Sequence, residues 1–263
     1  MVIQVFNKKH FILRLWRFAT INHQPSTINR YSAFIVFPIL FLAIACNKSS
    51  GTNENKAFVT VTNVAPGSSP VDVLYNKISI LGRGVLPYDS TSGIPGKPYV
   101  QATAGVRQLQ VTEGAMTVLQ GNTAFQQGLY YSLFVYDTLK NDSLKLFILQ
   151  DNLEIRTDTF TYVRFINFAP GSYLNLLLTN NIDTVASGFM DFAGNKLNPN
   201  DYFFQTLHIG SYGVRAFRDT LYANSVPLDS VEIDSTKIYT VFLEGFLDSP
   251  GTDKLMLKSI QHN

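Results

Sequence analysis

Beyond residue 46 this 263-residue chain holds only two histidines, His208 and His262, and no cysteine. A Ser-His-Asp relay needs one of those imidazoles beside an activated serine, and no Gly-x-Ser-x-Gly elbow is present. Zinc needs clustered His and Cys ligands, which the pattern does not supply. Oxygen ligands for calcium exist at Asp229, Glu232 and Asp234, and at Asp248 with Asp253. The first set alternates along Val231-Glu232-Ile233-Asp234 as a half-buried strand with a solvated face, and the second reads as a hairpin loop. Neither has the carboxylate spacing of a calcium loop. The chain is therefore expected to be non-catalytic and to bind no metal or cofactor.

Tyrosine offers different chemistry. Twelve of the 13 tyrosines follow residue 46, several near turns: Tyr88, Tyr99, Tyr173, Tyr202 and Tyr222. An aromatic face with a polar tip suits sugars, although β-sandwiches also use tyrosine in cores and on strand faces. Tyr88 lies within the longest irregular stretch, Leu81 to Pro98, and Tyr99 follows it directly; these two are the candidate ligand contacts. Nine of the 14 aspartates precede Ser or Thr. Seven of these pairs, at Ser90, Thr138, Ser143, Thr184, Thr220, Ser230 and Ser235, continue into Thr or an aliphatic residue. That pattern resembles the O-glycosylation sequon of envelope proteins in the Bacteroidetes. It is also what turns at strand ends produce.

The elements that position these residues begin after a distinct leader. Ala33 to Ala45 is an apolar run of 13 residues broken by Pro38 and ending in small residues before Cys46. A membrane span needs roughly 20 residues, so the run fits an export signal's apolar region instead. Leu42-Ala43-Ile44-Ala45-Cys46 resembles a bacterial lipoprotein signal, which implies lipidation of Cys46 and an outer-membrane location, on the periplasmic or the cell-surface face. Residues 1–45 are then signal and preamble, and 46–56 a polar tether. All 19 acidic residues follow Cys46, and removing residues 1–45 leaves 16 basic residues against them. A mature chain of that charge has no electrostatic case for nucleic acid.

From Phe58 the hydrophobic period is two, and no stretch makes an amphipathic helix. Strands are expected at 58–64, 71–75, 77–81, 99–102, 105–111, 116–119, 129–136 and 144–150. The second half repeats the first. Val59–Gly67 matches Val163–Gly171, Tyr131-Ser132-Leu133-Phe134-Val135 matches Tyr239-Thr240-Val241-Phe242-Leu243, and Lys145–Ile148 matches Lys254–Leu257. Two units, 57–155 and 156–263, predict two tandem Ig-like antiparallel β-sandwiches in an all-β chain. Each opens with the same corner, Asn63-Val64-Ala65-Pro66-Gly67 or Asn167-Phe168-Ala169-Pro170-Gly171. In that corner Asn can bond backbone two residues on, Pro fixes φ and Gly takes φ > 0.

The order of that corner, Val71-Asp72-Val73, Gly210-Ser211-Tyr212 and Tyr239-Thr240-Val241 resembles the family called domain of unknown function 4397, in two copies. Arg107 stands at the Tyr212 position of the first copy, and Asn175 at the Asp72 position of the second. The resemblance implies Ig-like sandwiches in bacterial envelope proteins, many of them lipoproteins, and no established activity. The expected function is a lipid-anchored binding module for glycan or another envelope protein. The alternative is a structural subunit joined through strand edges, and a hydrolase using a carboxylate pair ranks third.

Overall fold

Stretches rich in Val, Tyr, Phe, Leu and Thr, punctuated by Gly, Pro and Asn, form short strands throughout the computed structural model. It describes residues 55–81, 84–136, 144–154, 160–193, 202–218, 226–247, 249 and 251–263. The proposed lipid site Cys46, together with Thr138, Ser143, Thr220 and Tyr222, lies outside them. The first half contains β1 (Lys56–Asn63), β2 (Val71–Tyr75), β3 (Ile78–Ser79), β4 (Ser90–Thr91), β5 (Val100–Thr103), β6 (Gly105–Glu113), β7 (Met116–Phe125), β8 (Tyr130–Tyr136) and β9 (Lys145–Asp151). The second contains β10 (Phe160–Asn167), β11 (Tyr173–Thr179), β12 (Thr184–Asp191), β13 (Gln205–His208), β14 (Gly210–Phe217), β15 (Val226–Ile233), β16 (Ile238–Glu244) and β17 (Met256–Gln261).

Each half is a pair of sheets. The first combines β3-β2-β6-β7 with β4-β1-β8-β9, where β5 also pairs with β1. The second combines β12-β11-β14-β15 with β13-β10-β16-β17. Strand order corresponds between the halves, and so does register, with Val59 opposite Tyr131 and Val163 opposite Tyr239. The named strand pairs are antiparallel except for these two, β1 with β8 and β10 with β16, which run parallel. The expected purely antiparallel ladder is thus modified once per sandwich, because the first strand enters beside the penultimate strand and runs in its direction.

Alternation assigns each side chain to a layer. Val59, Val61, Leu133, Val135, Leu146 and Ile148 face the first outer sheet. Val163, Leu174, Leu176, Val214, Val241 and Leu243 fill the second sandwich in the same way. The residues between them on the inner strands are not solvated. Phe134, Tyr136, Phe147, Leu149, Ile166, Phe242 and Ile260 form a third apolar cluster. The two inner sheets therefore pack face to face, making four layers within one compact unit. Double burial explains why every residue of β16 is buried, and all of β8 after Tyr130.

The repeated corner serves this packing. Asn63 Oδ1 accepts from the Ala65 N–H at 3.2 Å, and its amide donates to Leu86 O at 3.2 Å. Asn167 does the same with Ala169 at 3.0 Å and Met190 O at 3.1 Å. Gly67 and Gly171 take φ of 75° and 69°, as the turn requires. The residue after each Asn, Val64 or Phe168, points into the third cluster. The Phe168 ring lies 4.7 Å from Phe134, 5.8 Å from Tyr136, 6.1 Å from Phe147 and 6.2 Å from Phe242.

Phe168→Ala removes the ring shared by both halves. It should cost about 3–5 kcal/mol, read as a lower urea midpoint. The surface change Phe203→Ala should leave that midpoint nearly unchanged, since Phe203 is 72% exposed.

Candidate functional site

The segment expected to be the longest irregular loop contributes one two-residue strand, β4, to the inner sheet. Thr91 and Ser90 pair with Thr62 and Asn63 of β1. Ser92 is buried; its hydroxyl accepts from the Val61 N–H at 2.8 Å and donates to Pro98 O at 3.2 Å. Ile94-Pro95-Gly96-Lys97 then closes a tight turn with reciprocal backbone bonds of 3.2 and 2.9 Å. Pro at the second place and Gly at φ 74° in the third are the type II signature. Gly93 admits no side chain, because a Cβ there would stand 2.5 Å from Lys97 O.

This turn leans toward the second sandwich and leaves a groove of about 520 Å³. One wall is Thr91 and the Ile94–Gly96 tip; the other comprises Ser230, Glu232, Asp234, Ser259 and Gln261. Glu232 accepts from the Ser211 hydroxyl. Asp234 accepts from the Tyr239 hydroxyl at 3.4 Å. Among the described residues neither carboxylate forms an ion pair, so both keep oxygen lone pairs for a ligand. Hydroxyls, carboxylates and an amide beside the exposed Ile94 suit a polyol better than a flat apolar ligand.

Beneath the joint lies a buried polar network that the sequence did not announce. Arg164, 1% exposed, meets Asp151 Oδ1 at 2.7 Å. Its Nε donates to Thr240 Oγ1 at 2.7 Å and its Nη2 to Ser132 Oγ at 3.0 Å. Ser132 and Tyr99 both donate to Asp151 Oδ2 at 2.7 Å. His262 bridges Tyr99 through Nδ1 and Thr240 through Nε2, each at 2.7 Å. With the tyrosine proton given to Asp151, these bonds close only if Nδ1 carries the imidazole proton and Nε2 accepts from Thr240. Phe204 covers the guanidinium at 4.7 Å. Burial pushes the Asp151 carboxyl up, but Arg164 and the hydroxyl donors outweigh it and hold it below its usual range.

The predicted site residues divide among these places. Tyr99 belongs to the network and Tyr88 is half-buried, its hydroxyl enclosed near Glu244. Neither lines the groove. Thr184, Ser230 and Ser235 are exposed, while Ser90 is half-buried in β4. His208 is exposed, 3.8 Å from Asp183. Among the described residues no three His, Cys, Asp or Glu side chains gather to hold a metal ion. The groove residues Ser259 and Gln261 gave no sequence signal beyond their place on a strand. Arg164 gave one, as a charge within an otherwise apolar run, Val163-Arg164-Phe165-Ile166.

Residues 57–173 match the family described as a domain of unknown function, DUF4397. The match covers the first sandwich and runs through the corner of the second. No curated protein matches the chain. Among solved structures, a family 26 carbohydrate-binding module from Eubacterium rectale, in complex with maltoheptaose, aligns at 8% identity. That alignment covers 77% of this chain and 96% of the other, with a TM-score of 0.23. A candidate cell adhesion protein from Bacteroides eggerthii aligns at 11% identity over 79% and 96%, with a TM-score of 0.19. Superpositions that poor do not bear on what this chain binds.

Two buried groups set opposite pH dependences. Burial lowers the His262 pKa from 6.5 to about 3, so the unfolded chain alone takes up that proton as pH falls between those values. Stability should fall along that limb. Burial, then Asp89, raises the Glu244 carboxyl from 4.5 to about 9, so the folded chain keeps a proton that the unfolded chain loses. Stability from this group is greatest below 4.5 and falls as pH rises toward 9. Glu244→Gln should raise the urea midpoint at about pH 8 and leave it unchanged at about pH 4, whereas His262→Gln should flatten the acid limb.

Proposed function

We propose that this protein is a non-catalytic, lipid-anchored envelope protein that binds glycan in the groove between the Ile94–Lys97 turn and the end of the second sandwich. The observation that carries the reading is the groove's lining. Acceptors on Glu232 and Asp234, hydroxyls on Ser230 and Ser259 and the Gln261 amide stand beside exposed Ile94, on strands and a pinned turn. Sugars need such a set of fixed donors and acceptors. The second half serves in this reading as a second copy of the DUF4397 domain, and the groove needs both copies. Its turn comes from the first half and its polar strand ends from the second.

Glu232→Ala combined with Gln261→Ala should reduce glycan binding by about tenfold or more on an array. Tyr99→Phe should leave it unchanged. Equal binding by the groove double variant would remove the groove from consideration. New reducing ends on a bound glycan would replace binding with turnover.

The address and the sugar sites belong to the same proposal. Lipid on Cys46 anchors the chain in the outer membrane, and Asp-Ser and Asp-Thr pairs carry O-glycan. Among the described candidates outside the groove, exposed Thr184 and Ser235 are the accessible ones. Intact mass of protein from its native host should exceed that of residues 46–263 by a lipid and by sugar. A mass with lipid alone would eliminate glycosylation, and a mass without lipid would eliminate the anchor.

A further inference from the structure

The outer sheets end on edges of unequal character. In the second sandwich β15, VPLDSVEI, carries Pro227, Asp229 and Glu232. In the first, the corresponding strand is β7, MTVLQGNTAF, with no charge and no proline in ten residues. Among the described residues only β6 pairs with it, so its other edge is open. Monomeric proteins guard such edges with charges, prolines, bulges or shortness. The opposite edge of the same sheet, β3, has two residues. The one irregularity of β7 lies near its hairpin end, where Val118 has no opposite residue. From Leu119 to Phe125 the register with β6 is unbroken. Beside the edge, Met116 and Val106 are 62% and 74% exposed.

We infer that β7 is a homotypic interface, pairing antiparallel with β7 of a second copy across a two-fold axis. A symmetric pairing sets each residue near its own copy, so a charge close to the axis meets a like charge. β7 has none, whereas β15 would bring Asp229 and Glu232 against theirs. With Gly121 at the axis, Gln120 faces the second copy's Asn122, and Leu119 faces its Thr123. From Leu119 to Thr123, exposed residues thus stay opposite exposed ones and buried opposite buried. The outer face already carries amide pairs, Gln110 Nε2 donating to Gln120 Oε1 at 3.0 Å and Gln108 opposite Asn122. The second copy continues those rows and joins two four-stranded sheets into one of eight. Composition that is self-complementary in this way favours a second copy over an unrelated strand.

The test uses full-length chains with two different tags, co-expressed, one carrying Gln120→Cys and the other Asn122→Cys. Directly opposed residues stand within the Cα separation a disulfide allows, so mild oxidation should give mixed-tag dimers at least about tenfold above a Ser230→Cys and Glu232→Cys pair on β15. The unsubstituted chain sets the background, since Cys46 is its only cysteine. Sedimentation should show a dimer that becomes a monomer in the Gln120→Lys, Asn122→Lys double variant, with its circular dichroism unchanged. Mixed-tag product no greater than at β15, dimers that survive the lysines, or cross-links to other proteins in place of a second copy would each overturn the inference.

Discussion

Burial of both faces of the inner sheets is the constraint on which this molecule depends. Each sandwich has its own core, yet each leaves an apolar face on β8 and β9 or on β10 and β16 that water would penalise. The sandwiches remove that penalty from one another. The Arg164–Asp151 pair adds orientation. Two desolvated charges contribute little net stability, but displacing either strands the other in an apolar layer. Ser132, Thr240, Tyr99 and His262 satisfy the remaining positions around the pair, so its geometry fits one alignment of the sheets. The groove inherits its shape from that alignment, since its walls come from different sandwiches.

Much of this was legible from the residues. Most first-half strand boundaries follow period-two patterning, although β7, expected at 116–119, runs on to Phe125 because the alternation weakens across Gly121. The Asn-x-Ala-Pro-Gly corners have the hydrogen bonds and glycine φ their residue types imply. What was not legible arises from packing between the two sandwiches. Alternation correctly puts Arg164 on the face opposite Val163, and only the other sandwich makes that face an interior. The role of His262 leaves no local pattern, because its partners Tyr99 and Thr240 are distant in sequence. The stretch from Leu81 to Pro98 read as irregular because β4 is two residues long and its pairing with β1 leaves no periodic trace.

The differences between the two halves are as informative as the likeness. Asp72 and Asn175 differ in charge, yet each accepts from a neighbouring serine, at 2.7 Å from Ser79 and 3.2 Å from Ser187. That exchange preserves the local bond. Val64 and Phe168 occupy equivalent corners, and the larger ring in the second half fills the space between Phe134, Phe147 and Phe242. The two halves thus contribute different parts to the groove, the first its pinned turn and the second its polar strand ends.

The parallel pairing of first and penultimate strands has a kinetic consequence. Residue 58 cannot find its partner until residue 130 exists, and residue 162 must wait for residue 238. Contacts so distant along the chain make each sandwich a slow, late-closing unit. During synthesis the first can close while the second is still emerging. It then presents Phe134, Tyr136 and Phe147 to water until its mate arrives. Within that interval a partly made chain is most exposed to aggregation, and an export pathway that keeps the chain unfolded until it is complete would bypass the hazard.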